Sequence, residues 1–459
     1  MSFPRYPEYK DSGVEWLGEV PAHWRVVPCR TFVEERKDKN SDAAVDAYLS
    51  LMANVGVIPY EEKGDVGNKK PDDLSKCKIV KRGDLVINSM NYGIGSYGLS
   101  GLDGVCSPVY IVLRAVEPEV LPRYALRIFE NRAFQSLAQS FGNGILAHRA
   151  AIGWDDLKGI KVALPPKDEQ NLLAAFLDHE TAKIDALVDE QKRLIEFLKE
   201  KRQAVISHAV TKGLDPNVPM KDSGVEWLGE VPAHWVVLPI KYVIKSMGQG
   251  WSPQCENRVA GNDEFGVLKV GCVNGGQFKP EENKALPSDL APDPNLSIRT
   301  GDLMISRANT RDLVGSAAVA LADYSNLLLC DKLYRLRLDD SRCLPRFLSC
   351  YLGTRMARGR LELEATGASS SMLNIGQATV RDLVFPVPPV DEQHGIVTFI
   401  DNQLVRSDKL VAEAEKAVEL LQERRSALIS AAVTGKIDVR GWKPASSVAT
   451  DDTAAQVTA

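Results

Sequence analysis

Apolar positions along this chain follow two different rhythms. In the first long stretch Leu177, Ile184, Gln191, Leu198 and Val205 fall seven residues apart, with Leu187, Val188, Leu194, Ile195 and Ala209 filling the same face. In the second, Ile400, Ser407, Ala414, Leu421 and Leu428 do the same, supported by Leu404, Leu410, Val411, Ala417, Val418 and Ala431. Apart from Gly395 near the start of the second, neither stretch holds an internal Gly or Pro. Heptad spacing of this kind predicts two long helices with a narrow apolar seam. Forty residues of helix would span roughly 60 Å, too long and too narrowly apolar to pack on one small domain. The two helices are therefore expected to pair with each other, and connectivity favours an antiparallel pair. A parallel pair, or two helices each laid across its own domain, are the alternatives.

Outside these stretches the pattern is of short β-like runs after tight turns. Gly83-Asp84-Leu85-Val86-Ile87 and Gly301-Asp302-Leu303-Met304-Ile305 each place a turn before a buried strand. The chain repeats itself. KDSGVEWLGEVPAHW occupies Lys10 to Trp24 and recurs letter for letter at Lys221 to Trp235. Leu164-Pro165-Pro166-Lys167-Asp168-Glu169-Gln170 is echoed by Val387-Pro388-Pro389-Val390-Asp391-Glu392-Gln393. Each ends an apolar run and opens a long helix, with prolines where missing N–H groups cost little and acidic residues in the first turn, where the helix dipole favours them. Thr211-Lys212-Gly213 and Thr434-Gly435-Lys436 are matching exits. A period above 200 residues is no solenoid. It is one domain-plus-helix unit used twice, with the framework kept and the middles, about Arg25 to Ala163 and Val236 to Pro386, allowed to diverge.

Composition narrows the class. The 459 residues are 44% hydrophobic and 25% charged, with a mean hydropathy of −0.17, which excludes wholesale disorder and fibrous architectures. The formal charge of −5 advertises no nucleic-acid partner in bulk, so any such binding must be local. The eight cysteines are scattered without CxxC pairs, which argues against a zinc site or a disulfide framework. The first residues carry no apolar leader core and no stretch approaches a membrane span, so a reducing cytoplasm is the expected compartment.

Catalytic sets are not evident. Gly435-Lys436 is followed by Ile437 and lacks a Gly-rich lead, so it is no phosphate-binding loop. The PP pairs lack a methyltransferase signature, Pro71-Asp72-Asp73 has no nuclease partner motif, and the six histidines lack metal or triad companions. His23 and His234 share one repeat position, which reads as a common structural role.

Taken together, the paired variable domains, the PPxDEQ helix starts, the GDL strands and exits such as Ala204 to Gly213 resemble the specificity subunits of type I restriction-modification enzymes, from about Tyr6 to Trp442. The resemblance implies a mixed α/β, pseudo-twofold chain. Residues 1–163 would form the first target-recognition domain, 164–213 the first spacer helix, 214–386 the second target-recognition domain and 387–437 the second spacer helix. Residues 438–459 would be a tail whose end, rich in Ala, Ser, Thr and Asp, is expected to be disordered. The resemblance further implies that the chain itself is non-catalytic and holds no cofactor. Each domain would read one half of an asymmetric bipartite site in double-stranded DNA. Two modification subunits would dock and methylate adenine with S-adenosylmethionine, and restriction subunits using ATP and Mg would join for cleavage. A DNA turn of about 34 Å suits a spacer of this length. A tandem adaptor with two protein- or peptide-binding domains on a coiled coil is the alternative of a different class.

Base reading needs donors and acceptors on exposed loops. The polar runs after the GDL strands supply them: Asn88, Ser89, Asn91 and Tyr92 in the first half, Ser306, Arg307, Asn309, Thr310 and Arg311 in the second. A second set precedes each PP motif: Asn143, His148 and Arg149, then Ser369, Ser370, Ser371 and Asn374. Gln249 and Trp251 open the second variable region. The competing reading of each is a turn residue satisfying its own backbone or a side chain capping the core. Trp16, Trp24, Trp227 and Trp235 lie in the identical repeat and cannot explain different half-sites; packing at the helix exits or a shared docking surface is expected of them.

Overall fold

The computed structural model describes residues 3–65, 69–141, 151–369 and 372–443. The chain divides into two compact units, one of residues 1–192 with 416–459, the other of residues 193–415.

In the first unit a four-stranded antiparallel sheet runs in the order Val33–Glu35, Tyr110–Ala115, Leu85–Asn88, Tyr97–Leu99, with Leu113 opposite Leu85 and Ile87 opposite Tyr97. Consecutive apolar letters in Leu85–Ile87 reflect cover on both faces. Leu85 and Ile87 join the main core with Tyr124 and Ile128, while Val86 turns to a smaller cluster with Leu49, Val80 and Val112. Helices α1 (Pro122–Phe129) and α2 (Arg132–Ser140) lie on the main-core side. Proline opens α1, and Asn131 caps α2 by accepting from the Ala133 and Phe134 amides. The short α3 (Trp154–Leu157) and the strand Lys161–Leu164, paired with Arg25–Pro28, lead into α4 (Lys167–Lys212).

The second unit repeats this plan. Its sheet runs Ile244–Gln249, Leu333–Leu338, Leu303–Ser306, Ala317–Val319, and the split recurs: Leu303 and Ile305 face the main core while Met304 faces a second cluster with Val267 and Leu328. Helices α5 (Pro345–Leu352), α6 (Arg355–Leu363) and α7 (Gln377–Asp382) follow, and the strand Val384–Val387 pairs with Val236–Pro239 before α8 (Val390–Val433). This unit adds the sheet Asn283–Ala285, Gly266–Leu268, Tyr324–Leu328, Ser297–Ile298.

Each GDL turn has the same cause. Gly83 and Gly301 sit at φ +88° and +82°, the left-handed region that glycine tolerates best. The buried Asp84 accepts from the Lys81 amide and from Arg36 Nε, both at 2.7 Å. Asp302 accepts from the Arg299 amide at 2.9 Å and from Arg337 Nε at 2.7 Å.

The two predicted long helices are present. Buried and half-buried positions on α4 fall at 177, 181, 184, 188, 191, 195 and 198, and on α8 at 400, 404, 407, 411, 414, 418, 421 and 428, the alternating four-and-three spacing of a coiled-coil seam. Three residues expected in those seams are not there: Leu187, Leu194 and Leu410 are 45%, 41% and 49% exposed, because each lies one step to the side of a seam position. Within each unit the two helices run in opposite senses, the end of one lying by the start of the other: Trp442, past the end of α8, packs on Phe176 and His179 of α4, and Gly213, at the end of α4, lies by Glu392 of α8, with an ion pair further along each. In the first, Arg425 Nε donates to Asp185 at 2.9 Å; in the second, Arg202 Nη1 donates to Asp408 at 2.6 Å.

A candidate nucleic-acid interface on a repeated frame

The frame is built around one carboxylate per unit. At the start of α4, Glu169 Oε2 accepts from Trp24 Nε1 at 2.9 Å and from the Tyr6 hydroxyl at 3.0 Å, and Oε1 lies 2.6 Å from His23 Nε2. At the start of α8, Glu392 accepts from Trp235 Nε1 at 3.1 Å and lies 2.8 Å from His234 Nε2. The neighbouring glutamines do the same work twice: Gln170 Oε1 accepts from the Leu121 amide and Gln393 Oε1 from the Leu344 amide, at 2.9 and 2.8 Å. Each helix end also returns to the repeat. Gly435 packs on Pro21 and Trp24, and Gly213 on Trp235 and Pro232. Trp24 and Trp235 are fully buried, Trp16 Nε1 donates to the Lys161 carbonyl at 3.1 Å, and Trp227 lies under the Arg360 guanidinium. The identical segment is thus a socket for helix ends, and Trp24 and Trp235 have no face left for a base.

Several of the candidate base readers are placed differently from expectation. Tyr92 is a core residue whose hydroxyl donates to the Phe129 carbonyl at 2.5 Å. Ser306 is fully buried at the end of its strand, with its amide on the Ser316 carbonyl. Asn88 and Ser89 are buried at the end of Leu85–Asn88, the Asn88 Oδ1 accepting from the Met90 amide at 3.1 Å. These four side chains are buried rather than presented outward; Asn91 is the exposed member of the first set. Asn143, His148, Arg149, Ser370 and Ser371 lie outside the described residues.

In the second unit the structure gathers four segments distant in sequence, 249–252, 306–311, 329–331 and 366–374. Arg307 Nη1 and Gln249 Nε2 both donate to the Asp331 carbonyl, at 3.1 and 3.0 Å. Ser252 Oγ bonds the Asp331 carboxylate, and the Trp251 amide donates to the Leu329 carbonyl at 3.1 Å. Ala308–Asn309 pairs with Met372–Asn374, itself paired with Thr366–Ser369, so Asn309, Asn374 and Ser369 share a three-stranded sheet. Asn309 Nδ2 reaches Ser306 Oγ at 3.3 Å and Asn274 Oδ1 at 3.5 Å. Thr310 and Arg311 are exposed at the tip, with Arg311 3.5 Å from Glu362, and Trp251 remains 39% exposed. Asp331, Ser252 and Asn274 were not among the expected residues. The polar pair Asp331-Lys332 inside the apolar run LLLCDKLYRL was the available signal.

The first unit repeats the linkage in outline: the Ile152 amide donates to the Ser89 carbonyl at 3.2 Å, as the Ile375 amide does to Arg307 at 2.9 Å. The resulting surface is a cluster of amide, hydroxyl, guanidinium and indole groups on a rigid sheet end, which suits hydrogen bonding to base edges and phosphates. Burial pushes the adjacent Cys330 thiol up to about 11, so it stays protonated at neutral pH. Among the described residues no group of three His, Cys, Asp or Glu side chains could hold a metal, and no helix is long and apolar enough to cross a membrane.

No family model matches the chain. It is 23% identical over 441 residues to the type I restriction enzyme StySPI specificity subunit of Salmonella potsdam, covering 93% of this chain and 91% of that one. It is 26% identical over 241 residues to the EcoEI specificity subunit of Escherichia coli, a match spanning 52% of this chain and 40% of that subunit's length. A solved chain from a study of complex assembly and conformational transition in a type I R-M system superposes with a TM-score of 0.69 at 17% identity, over 91% of this chain and 99% of that one. In its two-helix, two-domain fold, and in sequence along nine-tenths of its length, the chain is similar to the specificity subunits of type I restriction-modification enzymes.

Proposed function

We propose that this chain gives a type I restriction-modification enzyme its DNA sequence specificity, each variable domain reading one half of an asymmetric bipartite site. Residues 1–163 and 214–386 are the two readers, and residues 164–213 and 387–437 form the helical spacer that sets the half-site separation and docks two methyltransferase subunits. Restriction subunits join that assembly in the cytoplasm. The chain contributes no catalytic group, and S-adenosylmethionine, ATP and Mg act on its partners.

One observation carries this reading. The frame is the same twice, down to the Glu169 and Glu392 contacts, whereas the loops it supports differ: Asn91 is exposed in one, and Arg307, Asn309, Thr310 and Arg311 stand at the matching place in the other. A protein that must read two unlike half-sites in fixed register needs that combination. The relatives do not favour a protein-binding adaptor.

The test is a domain swap. Residues 25–163 are replaced by the corresponding stretch of another such subunit, and the methylated motif is read in cells that also express the modification subunit. One half of the motif should change while the other half and the spacing stay fixed. A change in both halves, or methylation without a defined motif, would overturn the reading.

A further inference from the structure

From α1 and α5 onward the two units align with a constant offset of 223 residues, which pairs Gln170 with Gln393, Leu121 with Leu344 and Asn131 with Thr354. The sheet strands pair Tyr97, opposite Ile87, with Ala317, opposite Ile305. This correspondence exposes one place where the interiors differ in kind.

In the first unit the space between α1, the sheet and α8 is filled. Arg425 gives its Nη1 to Glu130 at 2.8 Å and its Nε to Asp185, and Glu130 also receives Arg127. Tyr97 stands beside this group and beside Gln135. In the second unit the equivalents of Tyr97, Arg127 and Glu130 are Ala317, Cys350 and Gly353. All three large side chains are replaced by small ones, and a cavity of about 450 Å³ lies there. Its polar side carries Arg202, Arg346 and Arg358 together with Asp312. Arg202, the counterpart of Arg425, keeps its bond to Asp408 through Nη1 at 2.6 Å, but has lost the partner that Glu130 would provide. The rest of its guanidinium makes no hydrogen bond among the described residues. Arg346 and Arg358 are held in place by Asp401 at 2.7 Å and by Ser316 Oγ at 3.0 Å. The opposite wall is apolar, with Ile206 and Leu404. Small-molecule sites have this size and character, mostly apolar with a few fixed polar groups.

We infer that the second unit carries a binding site for a small aromatic carboxylate, whose ring takes the place vacated by Tyr97 and whose carboxylate takes the place vacated by Glu130, accepting from Arg202. An anion is selected because Arg202 keeps guanidinium donors with no acceptor among the described residues, and an aromatic body because the place left by Tyr97 is bordered by Ile206 and Leu404.

The probe is 4-hydroxyphenylacetate, titrated into the full chain and followed by ligand-observed NMR and calorimetry, with 4-methylphenol as the uncharged comparison. The expected result is saturable binding of the acid, weaker by roughly tenfold or more for the phenol, since a charge-assisted hydrogen bond is lost. Arg202→Gln should weaken the acid by a similar factor. The double change Cys350→Arg with Gly353→Glu, which rebuilds the arrangement of the first unit, should abolish binding. Gly353 has φ −77° and its Cβ direction meets nothing closer than 3.4 Å, so a side chain enters there without strain. Absence of saturation in the unaltered chain, equal affinity for acid and phenol, or undiminished binding in either variant would each overturn the assignment. The first two outcomes need no variant to fold.

Discussion

Trp24 donates its indole N–H to Glu169 over 2.9 Å, and 223 residues beyond Glu169, Glu392 accepts from Trp235 over 3.1 Å. The two bonds are equivalent by descent of the frame but not by surroundings. Glu169 has Tyr6 as an additional donor and is buried, whereas Glu392 has no tyrosine at that place and is about one-third exposed.

The same substitution at the two sites should therefore differ in cost. Glu169→Ala leaves the buried Trp24 N–H and Tyr6 hydroxyl without an acceptor and is expected to lower stability by about 2–4 kcal/mol, while Glu392→Ala, whose donors reach water more easily, should cost about 1–2 kcal/mol. Urea denaturation of the full chain measures both, and equal losses would contradict the difference in burial.

Gly435 and Gly213, at φ +74° and +78°, end the helices in a conformation that costs an L-residue about 1 kcal/mol or more. At Gly435 a methyl group would also run into Pro21, while at Gly213 its nearest neighbours, Trp235 and Glu392, stand 3.3 Å away. Gly435→Ala should lower the midpoint of thermal unfolding more than Gly213→Ala, and both more than an alanine at Gly395, whose Cβ direction is open.

Arg425 is 29% exposed and serves Glu130, whose side chain is 9% exposed. Replacing it with Met strands part of a buried carboxylate and should cost about 2–3 kcal/mol. Arg202→Met removes a pair with the half-exposed Asp408 and should cost under about 1 kcal/mol. Denaturant midpoints of the two variants decide the order.

Asp438 is held below the usual carboxylate value by the Arg440 guanidinium, with the Arg440 amide and His23 adding to it. A depressed carboxylate contributes stability that is present above its unfolded value, near 3.8, and is lost as pH falls through the lower folded value. Below about pH 4 the segment around Asp438 should loosen, and Trp442, packed on Phe176 and His179, should change its fluorescence. Asp438→Asn should abolish that pH dependence.

On the proposed function, Asn309→Ala and Arg307→Gln should relax one half of the methylated motif only, with roughly 1–3 kcal/mol of discrimination lost per bidentate contact removed. The half read by residues 1–163 should remain unchanged in the same methylome.

The frame was legible in the letters because its cause is local and duplicated. Two copies of KDSGVEWLGEVPAHW, two DEQ helix starts and two heptad seams each announce an element and its partner. What sits on the frame was less legible. Tyr92 stands among polar letters, yet its ring belongs to the core and only its hydroxyl finds a polar group, the Phe129 carbonyl. Arg307 and Gln249 meet at a backbone oxygen of Asp331, and a carbonyl has no letter of its own. Leu187 and Leu194 read as seam residues because they are apolar and next to it, although one residue step on a helix is about 100° of rotation. The cavity by Arg202 is visible only when Tyr97, Arg127 and Glu130 are set against Ala317, Cys350 and Gly353, and the spacing between the repeats changes from 211 to 223 residues along the chain.

The first unit is stitched from both ends of the chain: the Asp438 amide donates to the Pro4 carbonyl at 2.8 Å and the Tyr9 hydroxyl to the Gly435 carbonyl at 3.0 Å. The second unit is continuous from 193 to 415. On the ribosome the middle of the polypeptide can therefore finish first, while the part made earliest must wait, with Trp24, Leu173 and Ile184 uncovered, for Leu428 to Val439 to arrive and close its core. Order of synthesis and order of completion are reversed, and the first unit is the one that will need protection from aggregation during translation.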